Sequence, residues 1–143
     1  MANVHDVAAY ILQKRGPMSA MKLQKLVYYS QAWSLVWEDR PLFDDKIQAW
    51  ANGPVVRALY DEHKGMFKVE SWPRGNAESL TSTDVATIET VLDFYADDTA
   101  QQLSDLTHGE DPWRLARKGI PDGTISEREI TQESMMEYYS SLQ

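Results

Sequence analysis

The sequence predicts a mainly all-α fold, a single compact helical domain of about six helices with one or two short extended segments, and three observations predict it. Apolar residues recur at three- and four-residue spacing through most of the chain. Ser, Thr or Asn precedes several of those runs, and Gly or Pro follows them. The 143 residues, 43% of them hydrophobic, suffice for one core but not for two, so residues 1–143 are read as one domain.

Asn3 is a good N-cap with Asp6 in the first turn, and Val4, Val7, Ala8, Ile11 and Leu12 follow at helical spacing, which predicts a helix over about 4–14. Gly16-Pro17 stops it. Ser19 caps a second helix, about 20–38, whose Leu23, Leu26, Val27, Ser30, Trp33, Ser34 and Trp37 form a broad face and whose aromatic load marks it as the centre of the core. Pro41 to Asp45 reads as a turn and Lys46 to Trp50 as a short extended piece. Asn52-Gly53-Pro54 breaks the chain, and Pro54 suits the first turn of a helix carrying Val55, Val56, Leu59 and Tyr60 up to Gly65. Met66 to Ala77 has no sustained period and is read as a partly extended, mobile loop. A long helix follows Ser82 or Thr83, with Val85, Ile88, Val91, Leu92 and Tyr95 inward. Ala100, Leu103 and Leu106 predict another ending near His108-Gly109, and Asp111-Pro112-Trp113 opens a short one. Gly119 to Gly123 is loop and Ile125 to Ile130 extended. Thr131 then caps a last helix whose Met135, Met136, Tyr138, Tyr139 and Leu142 serve either the core or a homodimer.

Charge narrows the function classes. The net charge is −8, the wrong sign for a nucleic-acid groove. Residues 1–74 hold ten Lys and Arg against eight Asp and Glu, whereas residues 75–143 hold four against fourteen. Glu89, Asp93 and Asp97 recur every four residues on one helix with no Lys or Arg in that helix to relieve them, which costs about 0.2–0.5 kcal/mol per pair. The stripe is either a solvated face that aids solubility or a surface that meets a partner. The absence of cysteine excludes disulfides and thiolate chemistry and fits a reducing compartment. Residues 1–6 lack the features of a secretory signal, and every apolar run is broken well before membrane-spanning length, so a cytoplasmic location is expected.

The candidate catalytic groups are few. His5 and His63 read as surface residues near helix ends. His108, near Glu110 and Asp111, is the only metal-like cluster; it matches no zinc-helix spacing, so a helix C-terminal capping role competes with a small metal-dependent hydrolase centred there. The seven glycines form no phosphate loop, and no cofactor is expected. Lys22 and Lys25 beside Tyr28 and Tyr29 are read as a solvated helix face rather than a phosphate contact.

Three ordered blocks carry a family resemblance. Lys22-Leu23-Gln24-Lys25-Leu26-Val27-Tyr28-Tyr29-Ser30-Gln31-Ala32-Trp33 resembles the signature helix of the Panacea domain, the SocA-like antitoxin family often described as phage-associated proteins. Ile47 to Val56, containing Gly53-Pro54, through Tyr60 resembles its second block, and Leu103 to His108 with Pro112-Trp113 resembles its third. The family commonly carries glutamate where this chain has Gln48. The resemblance implies a type II antitoxin that neutralises a toxin by direct contact, and an adaptor delivering the toxin to a cytoplasmic AAA+ protease as the alternative. With no segment ahead of the domain, DNA binding by this chain alone is not expected. Trp33, Trp50, Tyr60 and Trp113 are expected to pack together, leaving amphipathic aromatics at a surface. The expected partner contacts are therefore Trp50 and Tyr60 for the desolvated area and Glu89, Asp93 and Asp97 for steering a basic toxin.

Overall fold

The computed structural model describes residues 2–143. Among them are seven α-helices: α1 Val4–Arg15, α2 Ala20–Glu38, α3 Arg57–His63, α4 Ser82–Tyr95, α5 Ala100–His108, α6 Asp111–Ala116 and α7 Gln132–Ser140. Five short strands, β1 Met18–Ser19, β2 Ile47–Trp50, β3 Gly53–Val56, β4 Lys68–Val69 and β5 Glu129–Ile130, form two small antiparallel sheets, β1-β4 and β3-β2-β5. The fold is thus mainly helical, with more strand than the sequence suggested.

Local chemistry sets the helix starts. Asn3 Oδ1 accepts the Asp6 N–H while Asp6 accepts the Asn3 N–H, and Thr81 with Asp84 and Thr99 with Gln102 repeat that reciprocal cap. Ser19 and Thr131 cap α2 and α7 with single side-chain bonds. The α2 helix packs against α1, α4, α5, α7 and β3, and 13 of its 19 residues are buried, so it has no single wet face. Two of its glutamines bind backbone rather than solvent. Gln31 accepts the Leu42 N–H at 2.7 Å and donates to the Phe43 carbonyl at 2.8 Å. Gln24 accepts the Val56 N–H at 2.8 Å and donates to its carbonyl at 3.2 Å. These pairs satisfy buried backbone groups where the chain leaves regular structure on either side of the β2–β3 hairpin.

Two segment boundaries differ from expectation. Pro54 does not start a helix: it sits in β3 opposite Ala49, and α3 begins at Arg57. β3 is an edge strand, where a missing N–H is tolerated, and the β-branched Val55 and Val56 favour extension. Met66 to Ala77 is also not a free loop. Lys68–Val69 pairs with Met18–Ser19, and Trp72 is buried, donating its indole N–H to His5 Nδ1 at 3.0 Å. Gly75 lets this segment reach α1, because a Cβ there would lie 1.9 Å from the His5 carbonyl oxygen. Met135 and Tyr139 of α7 lie in the core against α2, which answers the core-or-dimer question for those two side chains.

Candidate functional site

A cleft of about 800 Å³ opens where α2, the β2–β3 hairpin and α3 meet. Its lining is mainly apolar. Trp50 and Tyr60 meet edge to face at 4.8 Å, both half-buried. Gln24, Lys25 and His63 also line it, and Gln24 Nε2 lies 3.0 Å from His63 Nε2. At the mouth stand Met66, Phe67 and Ile125, of which Phe67 is 85% and Ile125 88% exposed. Glu127 at the lip is paired with Arg57 at 3.2 Å, so its charge is locally balanced.

Lys25 is the unusual member. It is 1% exposed, yet among the described residues no carboxylate, carbonyl or hydroxyl holds its ammonium, and burial alone pulls its pKa down to about 8. It is not on a solvated face: 13 of the 19 α2 residues are buried, and position 25 points into the cleft. Gly53 makes room for it: at φ +120° a Cβ would fall 2.5 Å from Lys25 Cε and 3.1 Å from Thr107 Oγ1. Burial is the main reason the pKa values of His63 and His108 are lowered, and the Lys25 charge lowers both further. His63 is therefore a buried cleft residue, contrary to the surface reading, and His5 is half-buried against Trp72.

The third block buttresses this cleft from behind. Trp113 donates its indole N–H to the Trp50 carbonyl at 2.8 Å, and Ser104 donates to the Asn52 carbonyl at 2.7 Å, which fixes the hairpin carrying Trp50. Arg117 is buried and donates to the carbonyls of Ala49, Pro121 and Thr124. His108 stacks on Trp113 at 4.1 Å with its Nε2 unpartnered. Glu110 and Asp111 turn elsewhere, the first to tyrosines and the second to Arg114. Among the described residues no three His, Cys, Asp or Glu side chains are grouped to hold a metal ion.

Trp33 does not join Trp50, Tyr60 and Trp113. It belongs to a second aromatic cluster, stacked on Trp37 at 5.0 Å and donating to the Tyr95 hydroxyl at 2.9 Å. There Tyr29 stacks on Tyr95 at 4.1 Å, Tyr29 and Tyr139 both donate to Glu110 Oε1 at 2.7 and 2.8 Å, and the Tyr28 and Tyr139 hydroxyls lie 3.0 Å apart. Burial raises the Glu110 pKa and the tyrosine hydroxyls' as well.

The acidic stripe lies apart from the cleft, Glu89 and Asp93 on α4 and Asp97 in the turn beyond its end, so the three do not share one helix as expected. Its repulsion is relieved from α1 rather than from its own helix: Arg15 pairs with Asp93 at 3.2 Å and the Tyr10 hydroxyl donates to Glu89. Asp97 is exposed and has no ionic partner among the described residues. Gln48 accepts the Trp50 indole N–H at 2.8 Å and so orients a cleft wall, a role that a glutamate oxygen would fill as well.

Sequence reasoning singled out Trp50 and Tyr60, held Gln24 and Lys25 only as motif residues with Lys25 on a solvated face, and missed His63, the three mouth residues and Arg117. Only the apolar pair Met66-Phe67 inside a polar stretch, and Ile125 alone in another, offered a signal. The family model described as antitoxin SocA-like, Panacea domain, matches residues 23–114. No curated protein and no solved structure matches the chain.

Proposed function

Because the chain belongs to the SocA-like Panacea antitoxin family, we propose that it is the antitoxin of a type II pair, neutralising a protein toxin in the cytoplasm by direct contact rather than by chemistry. The observation that carries this reading is the cleft mouth. Phe67 and Ile125 stand almost wholly in water beside the Trp50–Tyr60 wall, an arrangement that costs free energy until a second polypeptide covers it. Trp50 and Tyr60 supply the desolvated contact, and Glu89, Asp93 and Asp97 steer a basic toxin toward it. Since Glu89 and Asp93 already have partners on α1, Asp97 is the stripe's freest charge.

Co-expression with the product of the adjacent reading frame tests the proposal. Wild type should relieve toxicity, and the double variant Phe67→Ser, Ile125→Ser should lose that protection while keeping its helical circular-dichroism spectrum. Protection by the variant equal to wild type would remove the cleft from the interface, and no protection by wild type would remove the antitoxin role. Delivery of the toxin to a AAA+ protease is the second reading, favoured by the separation of the two candidate surfaces, cleft and α4. It requires the toxin's half-life in cells to shorten when this chain is present.

A further inference from the structure

Lys25 raises a question that toxin neutralisation in general does not answer: what anion does the cleft receive? A buried ammonium without a partner is costly unless a counter-charge arrives. Buried charged side chains elsewhere around α2 have found groups inside the protein: Glu110 holds two tyrosine hydroxyls, Arg117 three carbonyls, Asp84 the Arg40 guanidinium. Lys25 opens into a cavity instead.

From this geometry we propose that the cleft binds an apolar segment of the partner polypeptide through one Asp or Glu side chain, whose carboxylate pairs with Lys25 while flanking apolar side chains cover Phe67 and Ile125. The inference rests on the antitoxin reading and deepens it. Three features select this occupant. The single cation and mainly apolar walls suit a monoanionic carboxylate; phosphate would call for a forked or multiple donor set. Glu127, the lip carboxylate, is held by Arg57, so an incoming acid meets little repulsion at the entrance. The backbone of Val56 on edge strand β3 is already taken by Gln24, so docking there depends on side chains rather than on strand addition.

The test is selection of a phage-displayed random peptide library on the intact protein, followed by a two-by-two comparison of affinities. Enriched peptides should share one Asp or Glu among apolar residues. Changing that acid to its amide should weaken binding at least about tenfold to wild type, and hardly at all to Lys25→Met. Ile125→Ser should weaken both peptides equally, which reports the mouth independently of the floor. Enrichment of peptides without an acid, no enrichment at all, an amide peptide that binds as well as the acid, or displacement of the peptides by decanoate at equal affinity would each overturn the proposal. The two readings separate in cells. If Lys25→Met relieves toxicity as well as wild type does, the carboxylate assignment fails and the antitoxin role stands; if wild type gives no relief, the antitoxin role fails whatever Lys25 binds.

Discussion

The two ends of α2 solve opposite problems. Toward the C-terminal end, Tyr28, Tyr29 and Trp33 turn every polar head toward a group inside the protein: Tyr139, Glu110 or Tyr95. At the N-terminal end, Lys25 faces a cleft with its charge uncompensated, and His108 behind it keeps an unpartnered ring nitrogen. Buried polar groups in folded proteins are ordinarily satisfied, so a complete network reads as structure and an incomplete one as a place where something is still to be bound. The contrast teaches that residues from one sequence block serve different ends: the tyrosines hold the fold, and the lysine is available to a ligand.

If that division is right, the largest effect belongs to the satisfied end. Tyr29→Ala removes a fully buried ring stacked on Tyr95, together with one of the two hydroxyls on Glu110. It should cost about 3–5 kcal/mol, a large share of the stability of a domain this size, as measured by urea unfolding. A loss below about 1 kcal/mol would mean the cluster is not the fold's anchor.

The unsatisfied end should respond with the opposite sign. Lys25→Met keeps the volume and removes an unpaired charge, so the variant should be more stable than wild type at neutral pH by about 3 kcal/mol, scaled from the distance between the usual lysine pKa and about 8. The sign in pH follows from proton binding. Between pH 8 and 10.5 the unfolded chain keeps the Lys25 proton and the folded chain releases it, so wild-type stability rises with pH there and the gap to Lys25→Met closes. The tyrosines, whose folded pKa values are raised, oppose this above pH 10 but act on both proteins alike and drop out of the difference. His63 on α3 and His108 on α5, freed of the lysine charge, titrate at the acid end and leave the alkaline window clear. Glu127 and Arg57 at the lip are exposed and paired with each other. A Lys25→Met protein less stable than wild type at pH 7 would show that the ammonium has a structural role after all.

This contrast also marks how much could be seen in the sequence. The helix starts were legible because capping is local: Asn3, Ser19 and Thr131 sit three residues from the N–H groups they accept. The identity of α2 as the core helix was legible for the same reason, since its apolar and aromatic content is contiguous. Lys25 was misplaced because an amphipathic reading presumes one wet face, and a helix with 13 of its 19 residues buried has no such single face. Pro54 fits an edge strand and a helix start equally well, and only its pairing with Ala49 across the hairpin decides between them. Trp72 meets His5 from 67 residues away, and Arg15 relieves Asp93 from 78, contacts that no local period encodes. Of the candidate site, the walls Trp50 and Tyr60 were anticipated as exposed aromatics, whereas the mouth depends on where two loops are carried by the fold.

The smallest expected effect asks whether the satisfied end needs a charge at all. Glu110 accepts both tyrosine hydroxyls through one oxygen and has no ion-pair partner among the described residues, and burial raises its pKa against the pull of those two bonds. A carboxyl group raised in this way stabilises the fold fully below its unfolded value near 4.5, and that contribution is lost as pH rises through the folded value. Glu110→Gln keeps an acceptor oxygen in place and has no proton to lose. It should therefore lie within about 1 kcal/mol of wild type at pH 7, with wild type gaining on it as pH falls toward 4.5, as read from urea midpoints at the two pH values. A larger loss at neutral pH would show that the network requires an ionised acceptor. The cluster would then resemble the cleft in keeping a buried charge at a cost, and burial would no longer separate the two ends of α2 by the way their polar groups are met.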